Sequence, residues 1–183
     1  MATAPALPFV SLSEYLTSSY EPDRDYLDGI LVERNVGKRK HSRLQALILN
    51  FLMSQEEQYA ILVYPEQRIQ LTPSRFRIHD VCVMDGRHRS EDIFTEPPLL
   101  VFEVVSPQDA FGELITKARR YREMGVAHIC VADPWNHTLF YVDAQGSWIE
   151  SASLTVSFSI RAALPPLTLD FAGLFSQLDR TTL

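Results

Sequence analysis

Cysteine, long apolar segments and excess basic charge are all scarce in this chain of 183 residues. The two cysteines, Cys82 and Cys130, lie inside apolar runs and have no paired spacing. Their placement excludes a disulfide framework and a zinc ribbon, and it predicts core thiols in a reducing compartment. No stretch approaches the roughly twenty apolar residues of a membrane span, and residues 1–10 lack the basic and apolar parts of a secretory signal. We therefore expect a cytoplasmic protein with no membrane partner.

The charge balance is acidic, since 17 Lys and Arg stand against 23 Asp and Glu for a net charge of -6. Proteins that coat nucleic acid by bulk electrostatics are usually strongly basic, so this balance argues against that class. A local basic patch is still sufficient to hold one phosphate backbone. With 46% hydrophobic and 22% charged residues, the composition predicts a single globular domain over residues 1–183.

Local patterns in the first half predict two helices and a hairpin. The capping box at residues 11–14 predicts a short first helix, and Asp28-Gly29 predicts a tight turn between strands at residues 26–27 and 30–32. Apolar residues from His41 to about Gln58 recur with the spacing of one helical face. Pro65 is expected to divide two further strands, at residues 61–64 and 67–71.

The second half alternates strands with one long helix. A strand at residues 81–84 and a polar loop at residues 85–98 precede the apolar run at residues 99–105, which has the character of a central strand. A helix at residues 107–124, ended by Gly125, then leads to a strand at residues 129–132. This order predicts a parallel crossover of right-handed sense. The remaining predictions are a hairpin at residues 138–149 and a last helix at residues 170–178. Between them, apolar residues alternate with polar ones at residues 154–160. The fold class is therefore α/β, with a mixed sheet flanked by helices.

Two acids stand where an ionised carboxylate is costly. Glu103 interrupts the apolar run, and Asp80 directly precedes a buried strand. Two such carboxylates repel each other unless they share a proton or a cation, and Mg²⁺ prefers oxygen ligands. Lys117, on the helix after the Glu103 strand, is placed to stabilise charge on a phosphate. The pattern indicates a divalent-metal site for phosphodiester hydrolysis.

Each of these residues also has a purely structural interpretation. Asp80 is compatible with a cap at a strand end, and Glu103 with an ion pair to Arg119 or Arg120 on the next helix. Lys117 is compatible with an ordinary exposed lysine. These alternatives stay open from the sequence alone.

Several segments together resemble a known family. The resemblance spans most of the chain and includes His41 at the start of the long helix. The segments that carry it are residues 26–33 (YLDGILVE), 77–83 (RIHDVCV), 99–107 (LLVFEVVSP), 117–126 (KARRYREMGV) and 131–134 (VADP). In these motifs the chain resembles the Uma-two family of restriction endonucleases, within the PD-(D/E)XK nuclease superfamily.

The resemblance implies a restriction-endonuclease-like core, a centre dependent on Mg²⁺ or Mn²⁺, DNA as partner and a homodimer. It implies Asp80 and Glu103 as metal ligands, Lys117 as the catalytic lysine and Glu33 as an additional acid. Two departures stand out: His79 replaces the proline before the aspartate, and Val105 replaces the lysine that the superfamily has two residues after the glutamate.

The compact basic run near residue 40 supplies candidate phosphate contacts, namely Lys38, Lys40 and His41. A solvated loop and a helix-start histidine are the structural alternatives for them. Glu33 is similarly compatible with a solvent-facing strand end, and His79 with a surface strand histidine rather than a third ligand.

The function expected from these residues is metal-dependent hydrolysis of DNA phosphodiester bonds by an endonuclease. One alternative is a non-catalytic dimeric interaction or DNA-binding module that retains the fold. Another is a metal hydrolase of a small phosphate ester.

Overall fold

An eight-stranded mixed sheet carries the fold, and helices pack on both of its faces. The computed structural model describes residues 9–35, 37–87 and 91–179. The helices are α1 (Leu12–Thr17), α2 (Arg39–Met53), α3 (Glu56–Tyr59), α4 (Phe111–Met124) and α5 (Phe171–Ser176). The strands are β1 (Arg24–Leu27), β2 (Ile30–Glu33), β3 (Ile61–Thr72), β4 (Arg75–Asp85), β5 (Leu100–Val104), β6 (His128–Asp133), β7 (Thr138–Val142), β8 (Trp148–Glu150), β9 (Thr155–Phe158) and β10 (Leu167–Asp170).

The order of the main sheet is β2-β1-β4-β5-β6-β7-β8, with β3 paired to β4. Its only parallel pair of named strands is β5 with β6, and α4 connects them; the described ranges contain no other. The parallel pairing predicted from the strand, helix, strand order is therefore confirmed, and so is the mixed α/β class.

Strand β5 is buried on both faces, as its nearly continuous apolar run predicts. Leu100, Phe102 and Val104 belong to the large core cluster that also contains residues of α2 and α5. Val101 faces the other way and belongs to the cluster with Ala118 and Tyr121 of α4. Because strand side chains alternate between faces, Glu103 is directed to the side that α4 covers.

Three predicted boundaries were wrong. Pro65 does not divide a strand, because β3 runs unbroken through it. In the described residues β4 is the only named strand paired with β3, so β3 has an edge position, which tolerates the missing N–H of proline. Helix α2 ends at Met53, before a separate short helix α3, because its apolar series stops at Leu52. Helix α4 begins at Phe111 rather than at residue 107, since the Asp109 carboxylate accepts from the Ser106 amide and holds that segment in a turn.

The C-terminal part adds a strand that the alternation did not predict. β10 pairs with β9 as a two-stranded sheet that covers the large core cluster. The last helix, α5, is confirmed in a shorter form, with the Asp170 side chain capping its first turn. The loop predicted at residues 85–98 is confirmed from Gly86 onward where it is described, while residues 88–90 lie outside the described part. Of the helices in the described ranges, none has the length and apolar character that crossing a membrane requires.

Candidate active site

The two predicted acids lie side by side where two central strands separate. The antiparallel ladder of β4 and β5 ends at the pair Val81 and Phe102, and Asp80 and Glu103 are the next residues on each strand. Beyond this point the Asp80 side chain replaces a backbone acceptor, because its Oδ2 accepts from the Val104 amide at 2.6 Å. Asp80 is 4% exposed and Glu103 5% exposed. The strand register therefore brings the two carboxylates together, as the sequence predicted.

Helix α4 supplies both partners of Glu103. The Lys117 ammonium donates to Oε2 of Glu103 at 2.6 Å, and the Tyr121 hydroxyl donates to Oε1 at 2.8 Å. These two residues are four positions apart and so lie on one helical face. The Lys117 ammonium also donates to the carbonyl of Ile78 at 3.1 Å, which ties it to β4. The alternative partner Arg120 instead contacts Glu123.

Asp80 is held by groups from three parts of the chain. An Arg34 guanidinium nitrogen lies 2.9 Å from its Oδ1, and the His41 Nε2 lies 3.4 Å from its Oδ2, opposite the Val104 amide. Arg34 also contacts Glu66 on β3. Sequence reasoning missed Arg34, because no motif marks it and its partner lies 46 positions away.

These contacts set the protonation of the two acids in opposite directions. Burial alone would raise the pKa of Asp80, but the hydrogen bond from His41 and the charges of Lys117 and Arg34 lower it to about 2. Burial raises the pKa of Glu103 to about 7, although the Lys117 charge opposes the shift. At neutral pH the site therefore combines a fully ionised carboxylate with one that exchanges its proton.

Two neighbouring cavities open onto this cluster. The first, of about 250 Å³, is lined by residues that include Asp80, Glu103, Lys117 and Glu33. The second, of about 260 Å³, lies beside it and is lined by residues that include Glu66. Arg34, His41 and Asp80 line both cavities. The predicted acids and lysine thus share a space large enough for an ion and part of a ligand.

The other predicted residues lie at the rim or elsewhere. The Glu33 side chain is 63% exposed, lies 3.5 Å from Arg24, and reaches only the wall of the first cavity. Lys38 is exposed at the N-terminus of α2, and Lys40 pairs with Asp179 at 3.0 Å; neither is among the residues lining the two cavities. His41 lines both cavities but contacts Asp80.

His79 is a core residue rather than a surface strand histidine. It is fully buried, and its ring packs on Tyr121 with 5.3 Å between centroids. Neither ring nitrogen has a hydrogen-bond partner among the described residues. Burial lowers the pKa of His79 to about 3, and Lys117 acts in the same direction, so the ring is neutral.

The donor chemistry of the site suits a hard divalent cation, since two buried carboxylates converge on one cavity. In the described ranges, however, no group of three or more His, Cys, Asp or Glu side chains is arranged to hold a metal. All four oxygens of Asp80 and Glu103 already contact protein donors. The residues therefore fit the ion by type, and an ion binding here competes with protein donors for the same carboxylate oxygens.

Comparison with solved structures identifies the same fold elsewhere. A crystal structure described as a putative nuclease belonging to DUF820, from Anabaena variabilis, superposes with a TM-score of 0.79 at 20% identity, covering 92% of this chain and 99% of that one. The cryo-EM structure of a DrdV-DNA complex matches at a TM-score of 0.43 and 14% identity, covering 80% of this chain and 12% of that one. No curated protein sequence matches the chain significantly.

The sequence profile of one family matches residues 12–172, a segment that contains the whole cluster from Arg34 to Tyr121. The family is Uma2, or Uma-two, which is described as "Putative restriction endonuclease". The earlier resemblance is thereby confirmed. This chain belongs to the Uma2 family of restriction-endonuclease-like proteins.

Proposed function

We propose that this protein is a metal-dependent endonuclease that hydrolyses DNA phosphodiester bonds. The observation that carries the proposal is the convergence of Asp80, Glu103 and Lys117 on one cavity, from two central strands and the helix that follows them. Family membership supports the same activity.

Asp80 and Glu103 would hold the metal, for which Mg²⁺ or Mn²⁺ is proposed. Such an ion makes a bound water more acidic and neutralises charge on a scissile phosphate. Asp80 supplies a permanent negative charge, because its pKa is lowered to about 2. Glu103, with a pKa of about 7, is able to accept a proton near neutral pH.

Lys117 is the group best placed to meet the phosphate. Its ammonium is fixed by Glu103 and by the Ile78 carbonyl, and its side chain keeps 13% exposure where it lines the first cavity. A cation held in this way stabilises negative charge that develops on a phosphate oxygen. Glu33 is proposed as an accessory acid at the rim. Lys38, Lys40 and His41 stay proposed phosphate contacts, although Lys40 and His41 also have partners within the protein.

DNA as the substrate, a homodimer and a cytoplasmic location belong to the same proposal. The buried thiols of Cys82 and Cys130 suit a reducing compartment. Light scattering on the purified protein measures the oligomeric state directly, and a mass equal to one chain would exclude the dimer.

The first prediction concerns activity. Wild-type protein should nick supercoiled plasmid with Mg²⁺ or Mn²⁺ and not with EDTA. Glu103→Gln should reduce the rate about 100-fold or more, because the substitution preserves volume but removes a charge from the site. The matched control is Glu123→Gln, an exposed residue on α4 that pairs with Arg120 and lines neither cavity. It should stay within about twofold of wild type.

One observation favours a second candidate, a non-catalytic DNA-binding module that retains the fold. Every carboxylate oxygen of Asp80 and Glu103 is already neutralised or hydrogen-bonded by the protein. Gel-shift binding to duplex DNA without cleavage of any DNA or RNA would favour this candidate. Nicking that survives Glu103→Gln would point to contamination and would contradict the proposed site.

A further inference from the structure

Arg34 is the cation that contacts the carboxylates of Asp80 and Glu66 at the wall of the two cavities. One of its guanidinium nitrogens lies 2.9 Å from Oδ1 of Asp80, and another contacts Glu66. The same side chain lines both cavities and so forms part of the wall between them. Its two carboxylate neighbours raise the pKa of Arg34 against the effect of burial, so it carries a full charge at every accessible pH.

Arg34 contacts one oxygen of Asp80, and other groups hold the second oxygen. Oδ2 is held independently by the Val104 amide at 2.6 Å and by His41 at 3.4 Å. Among the described residues, Arg34 is the only hydrogen-bond partner of Oδ1. If the guanidinium leaves, the carboxylate keeps its orientation and presents Oδ1 to the cavity.

A second buried arginine pair nearby behaves differently. Arg77 contacts Asp25 at 2.7 Å, and the other oxygen of Asp25 accepts from the Ile78 amide. The Arg77 side chain is 9% exposed, whereas that of Arg34 is 18% exposed. Arg77 anchors strands β1 and β4 and lines the first cavity only, while Arg34 comes from the segment that follows β2 and lines both cavities.

We propose that Arg34 is an internal cation that competes with the metal ion for Oδ1 of Asp80, so that metal binding requires the guanidinium to leave. This inference rests on the metal role of Asp80 in the proposed function. Two cations cannot share one carboxylate oxygen without strong repulsion, and the ion therefore binds more weakly than the carboxylate pair alone would allow.

Competition of this kind couples the metal to the substrate. A guanidinium released from Asp80 keeps Glu66 on one nitrogen, and its freed nitrogen is then available to a phosphodiester, whose oxygens match its paired donors. By linkage, a phosphate that binds Arg34 favours the metal, and the metal favours the phosphate by the same factor. The protein would then hold its metal weakly until a phosphate backbone enters.

The second prediction tests this competition without any catalysis. Mn²⁺ is titrated calorimetrically into the full chain at pH 8 without DNA, using wild type, Arg34→Gln, Arg34→Lys and Asp80→Asn. Arg34→Gln should bind Mn²⁺ about tenfold more tightly than wild type, since a charge-assisted hydrogen bond no longer competes. Arg34→Lys should lie between the two, because a single ammonium replaces a planar fork. The matched control is Arg75→Gln. Arg75 lies on the same strand as Asp80, pairs with Asp28 and is outside both cavities.

The outcomes separate this inference from the proposed function. Three results together support the inference: Arg34→Gln binds Mn²⁺ more tightly than wild type, Arg75→Gln binds it as wild type does, and Asp80→Asn does not bind it. If Asp80→Asn loses the ion but Arg34→Gln and Arg34→Lys bind it no more tightly than wild type, Arg34 does not compete and only the inference fails. If no variant binds Mn²⁺ at millimolar concentration, the metal role of Asp80 fails with it. Circular dichroism establishes that each variant is folded, and Arg34→Lys carries the test if Arg34→Gln is not.

Discussion

At the residue scale, the chemistry of the site depends on one carboxyl that the fold makes hard to ionise. Glu103 sits on a strand buried on both faces, with Lys117 as its only adjacent cation among the described residues. The desolvation of the carboxylate outweighs this pairing, so its pKa lies near 7 instead of the ordinary 4.5.

The third prediction concerns pH and stability. The pKa of Glu103 is higher in the folded state, about 7, than in the unfolded chain, about 4.5. The folded protein therefore binds the proton more tightly in this window, and the Glu103 contribution to the unfolding free energy falls as pH rises from 4.5 to 7. Urea unfolding at pH 5 and pH 8 should show a larger loss for wild type than for Glu103→Gln, which does not titrate at this position.

Equal losses in the two proteins would contradict the raised pKa. Asp80 does not confuse the comparison, because its lowered pKa places its own effect between pH 2 and 3.8, where stability is lost as pH falls. His41 titrates in both proteins, and because the Glu103 charge is one cause of its raised pKa, the difference between them reports Glu103 together with this coupling.

At the element scale, α4 determines where Lys117 and Tyr121 stand. Ala118 and Tyr121 pack the helix on the sheet, and Gly125 ends it with φ +106°, a left-handed conformation that side chains rarely adopt. The sequence predicted Gly125 as the terminator, and this is confirmed. The chain then enters β6, so the end of α4 also positions the parallel partner of β5.

The fourth prediction compares two glycines on this helix. Gly125→Ala should destabilise the protein by about 1 kcal/mol, because the new Cβ must adopt the left-handed conformation. Gly112→Ala should be neutral or stabilise by up to about 1 kcal/mol, because Gly112 lies in the first turn of α4 and its Cβ would meet nothing within 4 Å. Urea unfolding of both variants measures the difference. Equal effects of the two substitutions would show that the cap conformation does not matter.

At the scale of the whole molecule, the C-terminal part of the chain shares one core with α2 and the central strands. The large hydrophobic cluster joins α2, the central strands, the β9 and β10 sheet and α5. Polar contacts reinforce the connection: the Arg39 guanidinium donates to the Leu178 carbonyl at 2.9 Å, and Arg161 pairs with Asp85 at 2.7 Å. The organisation as one domain over residues 1–183 stays a prediction, and it has a thermodynamic consequence.

The fifth prediction is that the protein unfolds in one cooperative step. Far-ultraviolet circular dichroism reports on all elements, whereas tryptophan fluorescence reports on Trp135 after β6 and Trp148 at the start of β8, toward the far edge of the sheet. The two urea transitions should coincide, because a shared core leaves no part stable alone. A fluorescence transition that comes first would instead identify the β7 and β8 hairpin as a separate unfolding unit.

The sequence by itself determined the fold class and most elements, and it predicted that Asp80, Glu103 and Lys117 lie together. Buried strands and amphipathic helices have strong periodic patterns, and an acid within an apolar run is costly enough to mark itself. The terminating role of Gly125 was equally visible, because few residues adopt its backbone conformation. The sequence did not determine strand interruptions, since whether Pro65 breaks a strand depends on whether that strand lies at an edge of the sheet.

Only the tertiary structure decided what each acid touches. The pairing of Arg34 with Asp80 joins residues 46 positions apart, and no local pattern encodes the side-chain direction of either. The same holds for Lys40, which turns to Asp179, and for Tyr121, whose hydroxyl reaches Glu103 because α4 packs on that face of β5. Ionic and hydrogen-bond partners are chosen by three-dimensional proximity in a low-dielectric interior. The sequence therefore specified which charged groups cost free energy when they are buried. The packing of strands and helices decided which groups form the ion pairs and hydrogen bonds that offset this cost.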